Sequence, residues 1–229
     1  MKSKGVFIIG IDTEVGKTTI SAGLGHLLFR KGFNVGVMKP FASGISKYSR
    51  QFKSLDSKIL RKSSGSKDKD EIINPYYSPL PTAPYLARKI LKLNEEIDKQ
   101  EILIKYKEIE KRHDFTIVEG IGGLMVPLSE NFFVADLASI INVPIILIMS
   151  NKIGSINHII MTHCLSIKFN LQISGIILNN RYNFSESYYK LINKNLQIII
   201  EELTGSKVCL LYTSPSPRDR QRSRMPSSA

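Results

Sequence analysis

The stretch Gly10-Ile11-Asp12-Thr13-Glu14-Val15-Gly16-Lys17-Thr18-Thr19 decides the fold of this chain. The apolar run Val6–Ile9 precedes it, and a helical pattern begins near Ile20. A glycine loop between a buried strand and a helix presents backbone N–H groups and the positive helix end to phosphate. Five residues separate Gly10 from Gly16, where the common motif has four. The sequence therefore predicts a P-loop that binds a nucleoside triphosphate.

Each residue of this loop has a predicted task. Lys17 is expected to reach the β- and γ-phosphates, and the Thr18 hydroxyl is expected to ligate Mg²⁺. The other loop residues are predicted to surround the nucleotide, largely through their backbone N–H groups: Asp12, Thr13, Glu14, Val15, Gly16 and Thr19.

Length and composition narrow the class of protein. At 229 residues the chain suits one α/β domain and is too short for two. Its longest apolar run, Val143–Met149, is far below the roughly 20 residues of a membrane helix. The basic start at Met1–Lys4 is followed by an apolar run that ends at Gly10, which suits a first strand better than a signal peptide. With only two cysteines, Cys164 and Cys209, we expect a cytoplasmic protein without a membrane partner.

The formal net charge of +12 raises the question of nucleic-acid binding. The lysines, however, are spread along the chain beside many Ile and Asn residues, as in products of AT-rich coding sequence. The sequence has no basic stretch interleaved with aromatic residues, which single-stranded nucleic acids require for stacking. We therefore expect no nucleic-acid partner.

The composition changes abruptly at Cys209. The peptide Cys209–Asp219 resembles a translated transposase adapter of the kind used in sequencing libraries, and an Arg- and Ser-rich end follows it. A natural disordered basic tail is the alternative. We expect residues 1–208 to form the domain, with its natural C-terminus missing, and residues 209–229 to be a disordered tail.

Strand and helix patterns alternate along the rest of the chain. Buried strands are predicted at Val6–Ile9, Asn34–Met38, Phe115–Val118, Val143–Met149 and Ile173–Leu178. Helices are predicted between them, at Thr19–Lys31, Leu55–Ser63, Tyr85–Leu91, Glu95–Arg112, Val134–Ile141, Ile156–Phe169 and Ser185–Leu203. A polar loop is expected to open at Phe41–Gly44, and a stiff, proline-rich loop is expected at Asn74–Pro84. A solvated charge run is expected at Lys67–Glu71. The alternation predicts a single α/β domain of the P-loop NTPase fold, with a mostly parallel sheet and helices on both faces.

Ligands of such sheets bind beyond the carboxyl ends of the strands, where several charged residues fall. Glu119 ends one strand and Asp56 starts a helix, so both are candidate Mg²⁺ ligands. Lys39 follows another strand and is expected to neutralise charge on a transferred phosphoryl group. The alternatives are a solvated strand-end acid for Glu119, a helix-start acid for Asp56 and a surface lysine for Lys39. The glycines of the segment Gly120–Gly123 have no side chains, so the backbone there can come close to a ligand.

The sequence also carries a partial signal for the base. Ser150–Gly154 begins like the Asn-Lys-x-Asp guanine reader, but Gly154 stands in place of the aspartate. Asn179, at the end of a predicted strand, is expected to hydrogen-bond adenine. These signals argue against GTP as the nucleotide.

These pieces closely resemble dethiobiotin synthetases, the ATP-dependent ligases of biotin biosynthesis. The resemblance covers nearly everything from Gly5 to about Leu203. The matching stretches occur in family order: Gly10–Thr18 with its extra residue, Lys39–Gly44, Asn74–Tyr76, Pro81–Pro84, Val118–Gly123, Pro127–Leu128, Ala135–Asp136, Gly154–His158 and Gly175–Asn179.

The resemblance implies a reaction and assigns roles. 7,8-Diaminononanoate, CO₂ and MgATP would give dethiobiotin, ADP and phosphate through a carbamate and a carbamic–phosphoric anhydride. Thr13, Lys17 and Lys39 would be catalytic, and Thr18, Asp56 and Glu119 would hold Mg²⁺. The substrate would contact two groups of residues, the second across a homodimer interface: Glu14, Lys39, Ser43 and Gly122, then Gly154, Ser155 and Asn157. The family's final strand and adenine loop are the one segment that this chain is expected to lack.

Other P-loop classes remain as alternatives. A partition- or positioning-type ATPase switch usually carries a second lysine early in the loop, where this chain has Ile11-Asp12-Thr13. A cobyrinate-type amide ligase needs a long glutaminase domain, for which the chain has no room. A module that only binds ATP would not need both Lys39 and Glu119 at the carboxyl ends of the strands beside the P-loop.

Overall fold

The computed structural model describes residues 4–44, 54–93, 96–180 and 186–212 of the chain. In chain order the elements are β1 (Gly5–Gly10), α1 (Lys17–Arg30), β2 (Val35–Met38), β3 (Phe41–Ser43), α2 (Leu55–Ser64), α3 (Asp70–Ile73), β4 (Tyr76–Ser78), α4 (Pro84–Ile90), α5 (Lys99–Arg112), β5 (Phe115–Glu119), β6 (Pro127–Ser129), β7 (Phe132–Phe133), α6 (Val134–Ile141), β8 (Ile145–Ser150), α7 (Ser155–Lys168), β9 (Ile173–Asn180), α8 (Glu186–Thr204) and β10 (Val208–Tyr212).

The main sheet has six strands in the order β10-β9-β8-β1-β5-β2, and every pairing is parallel. Strand β1 lies inside the sheet between β8 and β5, and all six of its residues are buried. Because the strands run parallel, the residues that follow β1, β2, β5, β8 and β9 all lie at the same edge. This arrangement confirms the predicted α/β fold.

Alternate residues of the central strands supply two apolar cores. Phe7 and Ile9 belong to the core that packs under α5, α6, α7 and α8, whereas Val6 and Ile8 belong to the core under α1 and α2. The alternation follows from the period of two along a strand. Burial on both faces explains why β1 is a continuous apolar run rather than an alternating one. None of the helices within the described residues combines the length and apolar character that a membrane-spanning segment needs.

A second, small parallel sheet replaces part of the predicted loops. Phe41–Ser43 pairs with Tyr76–Ser78, and the Phe41 and Tyr76 rings stack with centroids 5.1 Å apart. The Asn74 amide Nδ2 donates to the Lys39 carbonyl oxygen at 2.7 Å. Phe41 and Ala42 are buried, so their apolar surface, rather than the polar residues around them, decides this local structure.

The charge run at residues 67–71 is only partly solvated, which corrects the prediction. Asp68 is buried and lies 3.0 Å from Arg112 Nη2 and 3.4 Å from His113 Nε2. Asp70 begins α3, which buries Ile73 completely. The run therefore ties the segment after α2 to the end of α5.

The boundary of the tail also differs from the prediction. Val208–Tyr212 forms β10, which pairs with β9 from Ile176 to Asn180, so residues 209–212 are part of the sheet. The physical reason is that Val208-Cys-Leu-Leu-Tyr is rich in strand-forming residues and lies beside the open edge of β9. Residues 213–229 and the predicted helix start at Ser185 lie outside the described residues, and the origin of the tail remains a prediction.

Candidate functional site

The P-loop leaves β1 at Gly10 and enters α1 at Lys17. The Ile11 N–H donates to the Ile148 carbonyl at 2.9 Å, which fixes the loop to β8. Gly16, the residue before α1, has a φ of 95°. A Cβ atom on Gly10 would stand 2.7 Å from both the Asp12 carbonyl oxygen and Lys17 Nζ. The tight approach of the loop to its own start therefore requires glycine at position 10.

Lys17 points back across the loop. Its Nζ donates to the Asp12 carbonyl oxygen at 2.8 Å, and the side chain is buried. Desolvation by burial, followed by repulsion from Lys39, lowers the pKa of Lys17 to about 8, although Glu119, Asp56 and Asp12 pull it upward. Lys17 thus places a cation where a polyphosphate would bring negative charge.

Three oxygen-bearing side chains converge beside Lys17, and they come from three different elements. Thr18 Oγ1, on α1, lies 2.8 Å from Glu119 Oε1 at the end of β5 and 3.1 Å from Asp56 Oδ1 on α2. Glu119 is fully buried, and its Oε2 has no hydrogen-bond partner among the described residues. One hydroxyl and two carboxylates form the donor set that a hard cation such as Mg²⁺ prefers.

Lys39 occupies the middle of this cluster. Its Nζ lies 2.6 Å from Glu119 Oε1, 3.0 Å from Asp56 Oδ2 and 3.0 Å from the Gly120 carbonyl oxygen. Burial alone would lower the pKa of Lys39, but attraction to Glu119 and Asp56 outweighs it and raises the pKa. Burial would likewise raise the pKa of Asp56, but Lys39 holds it below its usual value. Lys39 is therefore not the surface lysine of the alternative interpretation.

An open cleft runs over the cluster. Its lining brings together predicted residues from four parts of the chain: Thr13, Glu14, Gly16, Lys17, Thr18, Thr19, Lys39, Asp56, Glu119 and Gly122. Ser43 is exposed at the end of β3 and lies outside this lining. The structure thus joins the predicted phosphate and metal residues, and separates Ser43 from them within one chain.

A second cleft lies on the other side of the loop. Asp12 and Val15 line it together with Lys152 and Ser155. Gly154 precedes α7 with a φ of 89°, and the Asn157 side chain is exposed outside this lining. Ser155 therefore lines a cleft that shares Thr13 and Glu14 with the cleft over the cluster, whereas Gly154 and Asn157 line neither.

Asn179 supports the P-loop from the neighbouring strand. It is buried, and its Nδ2 donates to the Val15 carbonyl oxygen at 2.9 Å. Two supporting features escaped the sequence interpretation. One is Asn74, which holds the Lys39 backbone. The other is a buried amide cluster in which Asn151 Nδ2 lies 2.8 Å from Asn180 Oδ1 and 3.3 Å from Asn193 Oδ1. For Asn74, its position directly after the buried Ile73 was the available signal.

Comparison with solved structures supports the fold. MinD, the cell division protein of Aquifex aeolicus, superimposes with a TM-score of 0.57 at 15% identity, over 95% of this chain and 85% of that one. The hydrogenase maturation factor HypB of Archaeoglobus fulgidus gives a TM-score of 0.51 at 15% identity, over 91% and 81% of the two chains. At this identity the likeness concerns the fold alone.

Comparison with sequences identifies the family. A family model described as an AAA domain matches residues 4–208. The ATP-dependent dethiobiotin synthetase BioD of Nitrosopumilus maritimus strain SCM1 is 39% identical over 205 residues, which cover 90% of this chain and 86% of the relative. The enzyme of the same name from Bacillus subtilis strain 168 is 38% identical over 176 residues, or 77% and 74% of the two chains. This chain belongs to the ATP-dependent dethiobiotin synthetase family.

Proposed function

We propose that the chain catalyses the ATP-dependent closure of 7,8-diaminononanoate and CO₂ to dethiobiotin. The observation that carries the proposal is the meeting of Lys17, Lys39, Asp56 and Glu119 in one cleft, beside Thr13 and Glu14. A carbamate and a triphosphate are both anions, so bringing them together requires fixed positive charge on both sides of the transferred phosphoryl group.

The chemistry divides into three steps. A neutral amine of the substrate attacks CO₂ and loses a proton, giving a carbamate. A carbamate oxygen then takes the γ-phosphoryl group, and ADP leaves. The second amine, neutral when it reacts, attacks the carbamoyl carbon of this mixed anhydride, expels phosphate and loses a proton as the cyclic urea closes. Lys17 and Lys39 would stabilise the charge on the transferred group, while Thr13 and Glu14, which line the same cleft, would orient the diamine.

The site suits Mg²⁺ as well as ATP. Thr18, Asp56 and Glu119 would hold the ion, because the Thr18 hydroxyl already lies 3.1 Å from Asp56 Oδ1 and 2.8 Å from Glu119 Oε1. When bound, Mg²⁺ would neutralise charge on the phosphate oxygens. For the base, Asn179 lies at the carboxyl end of β9 and supports the loop at Val15. We assign it to the adenine side of the site.

We further propose a homodimer in the cytoplasm. Apolar side chains beside the P-loop are exposed, among them Ile153 (90%), Met161 (54%) and Met125 (45%). A second copy that covers this patch would bring the start of α7, with Gly154, Ser155 and Asn157, toward the substrate. The 14-residue helix α7 has a positive N-terminal end that suits the substrate carboxylate. The two free, exposed cysteines suit a reducing compartment.

The decisive experiment measures phosphate release from MgATP with and without diaminononanoate and bicarbonate, and identifies dethiobiotin by mass spectrometry. Turnover should need both substrates and fall at least roughly a hundredfold in Lys39→Ala. Lys58→Ala, on α2 close to Asp56, is the matched control and should retain turnover. A rate of phosphate release that does not depend on the diamine and increases with DNA or lipid vesicles would instead favour a switch ATPase.

A further inference from the structure

All three N–H donors of the Lys39 ammonium have acceptors within the protein. A lysine carries three N–H donors, and Lys39 Nζ has three oxygen acceptors within 3.0 Å, two of them from the metal-binding carboxylates. The side chain is 3% exposed. To donate to a carbamate or a phosphoryl oxygen, Lys39 must therefore release at least one of these acceptors.

A metal ion arriving from the cleft would need the same oxygens. Thr18 Oγ1 and Lys39 Nζ share Glu119 Oε1, and they divide the two oxygens of Asp56 between them. The remaining oxygen, Glu119 Oε2, is closed off from solvent. Because the whole Glu119 side chain is 0% exposed and Asp56 is 38% exposed, an ion from the cleft meets Asp56 first and must displace Lys39 or Thr18 to use Glu119 Oε1.

Charge makes joint occupation unfavourable. Lys17 and Lys39 balance Asp56 and Glu119, so these four side chains together are close to neutral. Adding a doubly charged cation to a neutral cluster of low dielectric costs free energy, because Lys39 would repel the ion at short range. An anionic triphosphate removes this cost, and it also offers the displaced ammonium a new partner.

We propose that Lys39 and the divalent metal ion exchange places on Asp56 and Glu119, so that metal binding releases Lys39 to the reacting groups. This inference rests on the proposed function for the fate of the released ammonium, but not for the exchange itself. It makes metal binding depend on nucleotide, because the phosphate groups of a bound nucleotide compensate the charge. It also prevents Lys39 from meeting the substrate before the metal is in place.

The test measures Mn²⁺ binding by the EPR signal of the free ion, without nucleotide, in wild type, Lys39→Met and Lys39→Gln. Removal of the competing charge should tighten Mn²⁺ binding at least about tenfold in both variants. Lys58→Met removes a charge from α2, the helix that carries Asp56, and should change Mn²⁺ affinity much less. Unchanged or weaker binding in folded Lys39 variants overturns the exchange. Folding of the variants is checked by circular dichroism. If Lys39→Met does not fold, the Mn²⁺ affinity of Lys39→Gln, which keeps hydrogen-bond donors, is the deciding measurement.

A second measurement uses the wild-type protein. In protein labelled with [15N]lysine, the buried Lys39 ammonium should give a slowly exchanging NMR signal that persists with ADP and EDTA and shifts or disappears with MgADP. A signal that stays the same in MgADP would mean that Lys39 keeps its carboxylates, and the proposal would fail. If turnover depends on the diamine but the Lys39 substitutions do not change Mn²⁺ affinity, the exchange is rejected and the ligase function stands. If the substitutions tighten Mn²⁺ binding but turnover does not depend on the diamine, only the ligase function is rejected.

Discussion

Lys39 Nζ lies 2.6 Å from Glu119 Oε1, and the two side chains are 3% and 0% exposed. Lys39 follows β2 and Glu119 ends β5, which are neighbouring parallel strands at the edge of the sheet. The ion pair therefore joins two strands at the place where the site is built. A buried pair of this kind contributes little net stability as a whole, but the loss of one partner leaves a desolvated charge behind.

Glu119→Gln should therefore weaken folding as well as activity. Lys39 would keep Asp56 and Gly120 as partners but lose its nearest charge. We expect the free energy of unfolding in urea to fall by about 3 kcal/mol. Glu130→Gln, at an exposed position before β7, is the matched control and should change it by less than about 0.5 kcal/mol. Equal stability of Glu119→Gln and wild type would contradict a charged buried pair.

Two glycine-to-alanine changes should have opposite effects. In Gly10→Ala the new Cβ would collide with the Asp12 carbonyl and Lys17 Nζ. We expect a loss of about 1–3 kcal/mol of stability and much weaker MgADP binding by calorimetry. Gly23→Ala lies within α1, where a Cβ meets nothing within 4 Å. It should gain roughly 0.5–1 kcal/mol. Tolerance of alanine at position 10 with full MgADP affinity would count against this loop geometry.

Nucleotide binding should depend on pH through Lys17. Its pKa is lowered to about 8 by burial and by Lys39, and only the protonated form attracts phosphate. The pKa of Lys39 is raised and that of Asp56 lowered, so both stay charged from pH 7 to pH 9. Because Lys17 loses its proton in this window, MgADP affinity measured by calorimetry should fall roughly tenfold between pH 7 and pH 9.

The matched variant is Lys17→Arg, whose guanidinium stays charged throughout this range. Its MgADP affinity, although weaker overall, should be nearly independent of pH between 7 and 9. A wild-type affinity that does not change with pH would show that Lys17 keeps its proton in spite of burial.

The exposed patch beside the P-loop should mediate dimerisation. Ile153 is 90% exposed, and Ile153→Asp would place a charge in the proposed interface. We expect the dimer dissociation constant from sedimentation velocity to rise at least about tenfold. Ile104→Asp, on α5 and 66% exposed in wild type, is the control and should leave it unchanged. A wild-type chain that sediments as a monomer at micromolar concentration would remove the basis for this interface.

Local patterns determined much of the site. The strand–glycine–lysine–helix order around Gly10–Lys17 is a local signal, because phosphate binding needs neighbouring backbone N–H groups. Lys39 and Glu119 were predicted from their position directly after buried strands, since the ends of parallel strands meet at one edge. The same local reasoning was wrong for Phe41–Ser43 and for Cys209–Tyr212, which form strands only because a neighbouring strand offers unpaired backbone.

The sequence by itself therefore determined the fold class, the P-loop and the family, because each depends on residue order over short segments. Only the tertiary structure decided how the charges pair. Lys39, Asp56 and Glu119 are far apart in the chain, and their distances follow from the packing of α2 against β2 and the pairing of β2 with β5. Sequence spacing cannot reveal that Lys39 takes up the very carboxylates that a metal ion would need, since ion pairs in a buried cluster depend on three-dimensional distance and desolvation.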